Sequence, residues 1–199
     1  MMLPDDLNAK WEKWVSELPE LSDIAVPCCL RLVNPQTTEL HLFSDASKVA
    51  FASAAYLVCR YQDNTPSSHL VASKSRVSPV KAMTIPRLEL AQNVLKVISV
   101  DRVVFWTDSE NVWYWVRNQS HEFKPFVANR IGYIQRTASS EQWRHIPGTL
   151  NRPDLPTRGL SASNLAESDV WREGPTFLKD DESTWPAVLP LKENAEQTQ

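Results

Sequence analysis

Three runs with apolar residues at alternate positions follow one another across short polar gaps: ELHLFS (39–44), VAFASAAYLVCRY (49–61) and HLVASKSRV (69–77). No other feature narrows the choice of fold as much. Period-two runs joined by gaps this short pair as an antiparallel meander, and Asp63-Asn64 and Pro66-Ser67-Ser68 supply turn residues in the second gap. The small residues of the middle run suit a strand with one closely packed face. The period then changes. TIPRLELAQNVLKVI (84–98) sets Leu88, Ala91, Leu95 and Ile98 on one helical face behind a threonine and a proline. RVVFWT (102–107) is a β-branched and aromatic run of the kind buried on both faces. A helix between two strands gives the chain the length to return and pair in parallel.

The remaining segments fit around this frame. DDLNAKWEKWVSEL (5–18) carries Leu7, Trp11, Trp14, Val15 and Leu18 at 3-4 spacing, which predicts an amphipathic helix stopped by Pro19. A short run, CLRLV (29–33), leads through Asn34-Pro35 into the meander. Asp108-Ser109 caps a helix through Trp113, Trp115 and Val116, and KPFVANRIGYIQRTA (124–138) forms another before a last strand, EQWRHI (141–146). The periodicity assigns Trp106, Trp113 and Trp115 to the core rather than to base stacking. The order βββαβα(α)βα predicts an α/β domain with a mixed five-stranded sheet, its first three strands antiparallel, flanked by helices. The expected boundaries are a connection segment over 1–36, the domain over 37–160, and an acidic linker or tail over 161–199 that is partly disordered.

Charge supports that division. The net charge of -3 averages over acidic flanks and a central segment, 37–160, with fifteen basic and ten acidic side chains. No apolar run reaches the ~18 residues of a membrane span, and MMLPDDLNAKWEKW lacks the basic-then-apolar order of a signal peptide. A soluble intracellular protein, cytoplasmic or nuclear and not secreted, is expected. Cys28, Cys29 and Cys59 form neither an even disulfide framework nor a paired metal spacing, and the histidines at 41, 69, 121 and 145 are scattered.

Four acids fall at special places in this scheme. Asp45 ends the first strand, Glu89 lies early in the following helix, Asp108 ends the 102–107 strand and Asp154 begins the last helical turn. Singly, Asp45 and Asp108 are ordinary caps and Glu89 an ordinary solvated helix residue. If the first strand neighbours the 102–107 strand, Asp45 and Asp108 lie side by side, and the helix across them delivers Glu89. Like charges so grouped repel strongly unless cations bind them, and with no Cys or His in the set the hard ions Mg²⁺ or Mn²⁺ fit.

The blocks ELHLFSDAS, VASKSRVSPVKAMTIPRLEL, RVVFWTDSENV, FVANRIGYIQ and WRHIPGTLNRPDL resemble, in order, the ribonuclease H domain of BEL/Pao-type retrotransposon polyproteins. KWEKWVSELPELSDIAVP is similar to the connection after that family's reverse transcriptase, and SNLAESDVWREGPTFL to the linker before its integrase region. The resemblance implies a ribonuclease H-like fold and hydrolysis of the RNA strand of an RNA–DNA hybrid with two divalent ions, Mg²⁺ or Mn²⁺. It maps the family's acid set onto Asp45, Glu89, Asp108 and Asp154, the first and third as shared ligands and the others completing one ion each. The implied partners are the hybrid and a reverse transcriptase domain of the same polyprotein.

Lys74, Arg76, Lys81 and Arg87, in a wholly basic stretch before the Glu89 helix, are candidates for phosphate contact. Ser109 and Asn111 are candidates for sugar hydroxyls, and His145 for a general acid. The chain departs from the family pattern in two places. Only 19 positions separate Glu89 from Asp108, and NRPDL stands where the family has NPADL. These departures define the alternative, a decayed ribonuclease H-fold remnant that binds nucleic acid or protein without cleaving. A strand-transfer enzyme on the same fold is disfavoured by the acid order. An aspartic protease is excluded because no glycine follows either Asp-small pair.

Overall fold

The computed structural model describes residues 4–25, 29–30, 33–46, 50–63, 65–77, 86–118, 123–151, 161–187 and 189. The meander is present: β1 (Thr37–Ala46), β2 (Ala50–Arg60) and β3 (Pro66–Val77) pair antiparallel, with Leu42 opposite Ala55 and Ser53 opposite Lys74. β4 (Arg102–Thr107) joins β1 in parallel, and β5 (Trp143–His145) joins β4 in parallel, giving the order β3-β2-β1-β4-β5. β3 begins three residues earlier than its alternation predicts, because Pro66 lies on an edge strand where a missing N–H costs no ladder bond. β5 is shorter than predicted, since Ser139 caps a 3-10 turn over Ser140–Gln142 and removes those residues from the strand.

α1 (Asp5–Glu17) forms where predicted, but it buries none of its residues. Leu7, Trp11, Trp14 and Val15 are exposed, and the two indoles meet at a tilt, their centroids 5.2 Å apart. α2 (Pro86–Leu95) lies across β1, β2 and β3. It closes three residues before the predicted end, although Ile98 still packs against the core. α3 (Glu110–Arg117) and α4 (Pro125–Thr137) follow on the same side. There Leu40, Leu42, Ala55, Phe105 and Trp143 of the sheet meet Leu88, Ala91 and Val94 of α2, Val116 of α3, and Ile131 and Ile134 of α4. Trp106 and Trp113 are buried and Trp115 packs at the core margin, as their periodicity requires.

The other face differs from the expected linker. After Gly159 the chain forms α5 (Ala162–Ala166), α6 (Asp169–Glu173) and two 3-10 turns, Thr176–Lys179 and Glu182–Thr184. Phe177, Leu178 and Trp185 bury themselves against Phe43, Tyr56, Val104 and Trp106. A sheet apolar on both faces needs two covers, and this acidic segment hides three large apolar residues that its average composition masks. Tyr56 donates its hydroxyl to the Trp171 carbonyl at 3.1 Å, and Ser68 donates to that of Glu173 at 2.6 Å. Glu182 accepts both Arg102 Nη atoms at 2.6 and 2.7 Å and Arg144 Nη2 at 2.6 Å. Gly174 is required at the bend: its φ is +79°, and a Cβ there would lie 3.0 Å from Tyr56 Cδ1. Among the described residues no helix is long and apolar enough to cross a membrane.

Candidate catalytic site at the strand ends

The parallel ladder between β1 and β4 stops at the pair Phe43 and Trp106. Continued two places, the same register sets Asp45 opposite Asp108, so two half-buried carboxylates close adjacent strands. The stop is actively made. Asn151, 3% exposed, donates its Nδ2 to the Ser44 carbonyl at 3.0 Å, just past the last β1 and β4 pair and two residues before β1 ends. On the far side Ile146 donates its N–H to the Thr107 carbonyl at 3.0 Å, ending the β4 and β5 pairing. Asn151 was missed by motif reading, although it begins the NxxD block. A buried amide just after a turn-forming Pro-Gly is the signal that could have singled it out.

Asp108 lies one residue before the cap of α3. Ser109 extends its backbone, and its Oγ accepts from the Val112 N–H at 3.3 Å. That hydroxyl is therefore a helix cap that keeps its own proton and one further lone pair, while Asn111 stands exposed two residues on. His145, the register partner of Thr107, brings its Nε2 within 3.3 Å of the Asp108 carbonyl. Gly148 lies close by, where a Cβ would sit 3.7 Å from Asp108 Oδ2. The imidazole and the strand-end carboxylate thus share one corner.

Glu89 lies in the first turn of α2, on the opposite side of the sheet. Strand alternation directs Asp45 to the face of His41 and Phe43, which the C-terminal segment covers, whereas α2 lies on the other face. An ion bound by both carboxylates must therefore sit beyond the strand ends, where no backbone divides the faces. Glu89 is tied to β3: Lys74 Nζ donates to its Oε2 at 2.9 Å, with about a quarter and a third of the two side chains exposed. Among the described residues no three Asp, Glu, His or Cys side chains group closely enough to hold a metal. Arg76 lies two residues beyond Lys74 on the edge strand. Asp154 and Lys81 lie outside the described residues, as does the side chain of Arg87. The all-oxygen donor set at the strand ends still suits a hard divalent cation.

A model of the Pao retrotransposon-like RNaseH-like domain matches residues 1–109, more than half of the chain. The chain belongs to that family. In this RNaseH-like domain the matched region runs from residue 1 to Ser109, and so takes in Asp45, Glu89 and Asp108 but neither His145 nor Asp154. Among solved structures the domain is similar to RNase H1 from the halophilic archaeon Halobacterium salinarum NRC-1, at 13% identity and a TM-score of 0.36, over 66% of this chain and 98% of that one. It is also similar to LC11-RNase H1 in complex with an RNA/DNA hybrid, at 12% identity and a TM-score of 0.32, over 58% and 88%. No curated protein matches the chain.

Proposed function

We propose that this domain hydrolyses the RNA strand of RNA–DNA hybrids with two divalent ions, Mg²⁺ or Mn²⁺, as the ribonuclease H step of a retroelement whose reverse transcriptase it serves. The observation that carries the reading is the parallel β1 and β4 ladder, whose last pair, Phe43 and Trp106, stands two residues before Asp45 and Asp108, in a chain of the Pao RNaseH-like family. Asp45 and Asp108 would hold the ions jointly, with Glu89 and Asp154 completing one each. Bound ions supply an activated water and charge stabilisation of the leaving oxygen in an in-line displacement. The chain's own part is to fix the geometry. Asn151 holds β1 at the Ser44 carbonyl, and Ser109 holds the start of α3 behind Asp108. His145, whose Nε2 lies 3.3 Å from the Asp108 carbonyl, would be the general acid, and Arg76, Lys81 and Arg87 would supply positive charge for phosphates.

One observation favours the second reading, a domain that binds without cleaving: the Lys74 ammonium occupies the Glu89 carboxylate. Cleavage of a labelled RNA–DNA hybrid in Mg²⁺ or Mn²⁺ separates the two. The nuclease reading predicts RNA-strand products from the wild-type chain and a loss of at least about a hundredfold in Asp45→Asn or Asp108→Asn, since ligand removal withdraws charge stabilisation from the transition state. Equal rates in wild type and variants, or no products from any of them, would leave hybrid binding as the surviving activity.

A further inference from the structure

We propose that Lys74 is a built-in counter-ion for Glu89 which a divalent cation must displace, so that Lys74 sets the cation affinity of the site; this rests on reading the strand ends as a cation centre. Lys74 reaches Glu89 from another element: β3 carries the ammonium and the first turn of α2 carries the carboxylate. The register shows why the two meet. Ser44, Ser53 and Lys74 stand in one row across β1, β2 and β3, and Leu42 and Ala55, two places back, lie in the core that α2 covers. The row therefore runs beneath α2 on the side of Glu89. Its middle member, Ser53, is 1% exposed and its Oγ has no hydrogen-bond partner among the described residues. A polar path thus leads from the end of β1 to the Lys74–Glu89 pair.

Electrostatics makes the pair a competitor. A hard divalent cation bound through Glu89 draws an oxygen to about 2.1 Å, and an ammonium 2.9 Å from the same carboxylate would then face it at short range. Two positive charges at such separation repel, and only partial exposure to solvent screens them. The lysine can leave, because its flexible four-carbon stem starts on an edge strand and about a quarter of the side chain is already exposed. In the cation-free chain the same ammonium neutralises Glu89 and keeps it directed toward the sheet.

The test is a Mn²⁺ titration of the full chain without nucleic acid, followed by calorimetry, with thermal melting in EDTA and in Mn²⁺ beside it. Lys74→Met is expected to bind Mn²⁺ roughly three- to fivefold more tightly than wild type, the range set by a partly exposed ion pair. Its melting temperature should also rise more on adding Mn²⁺. Lys74→Arg, which keeps the charge, should match wild type, and Lys74→Gln is the second neutral variant should Met impair folding. Equal or weaker Mn²⁺ binding in the neutral variants overturns the proposal. If that happens while the wild-type chain cleaves hybrid in an Asp45-dependent manner, only this inference falls. If no form binds Mn²⁺, the cation-centre reading falls with it.

Discussion

Leu178→Ala tests whether the C-terminal acidic segment belongs to the fold. Leu178 is fully buried in the second core, on the 3-10 turn that follows Gly174, whose bend brings it against Tyr56. Removing three carbons withdraws about 2.4 kcal/mol of transfer free energy at ~0.8 kcal/mol per methylene. The cavity left behind adds to this, because Tyr56, Phe43 and Trp106 are held by the sheet and cannot collapse inward, so the cost should reach about 3–4 kcal/mol. For a domain of this size that corresponds to a fall in melting temperature of roughly 6–16 °C. Urea unfolding followed by tryptophan fluorescence measures it, with Val170→Ala, at a position 37% exposed, as a control expected within about 0.5 kcal/mol. A Leu178→Ala chain as stable as wild type would refute the packing and return 161–199 to the role of a linker.

Two further outcomes follow from the geometry. His41 is fully buried, accepts the Trp106 indole N–H at Nδ1 and faces Glu39 through Nε2 at 3.1 Å, a pairing that suits the neutral ring with its proton on Nε2. Burial lowers its pKa from the ordinary 6.5 against the opposing pull of Glu39, and the hydrogen bond from His41 lowers that of Glu39 from 4.5. In both groups the unfolded chain takes up protons first, so stability is full above pH 6.5, declines as the pH falls below it and declines again below 4.5. A urea midpoint unchanged between pH 7 and 5 would contradict this. Asn151→Ala removes the cap on Ser44 but also a buried Oδ1 that has no partner among the described residues, so the stability cost should be only about 1 kcal/mol. Steady-state kinetics should show kcat falling with hybrid KM unchanged; an unaltered kcat would deny Asn151 a positioning role.

Much of the fold was legible because strand alternation and helical spacing are local. The meander, the Glu89 helix, the 102–107 strand and the core tryptophans all follow from patterns within a dozen residues. That the strands preceding Asp45 and Asp108 are parallel neighbours was legible in outline, since a helix between two apolar runs lets the second return beside the first. Asn151 was harder to see, for its significance is a bond to a carbonyl 107 positions away. The Lys74–Glu89 pair, only 15 positions apart, was invisible for another reason. From sequence Lys74 belongs to a basic stretch; its partner depends on which face of β3 meets α2.

The sequence by itself determined the element order, the apolar faces, the acids at the strand ends and, through its motif blocks, the family. Those are set by backbone preference and side-chain type over short spans. Only the tertiary structure decided that an acidic segment covers the second face of the sheet, that the apolar face of α1 is left exposed, and that a lysine neutralises Glu89. Each depends on where two distant surfaces meet. Burial and Coulomb energies act through that distance in space, and no spacing along the chain encodes it.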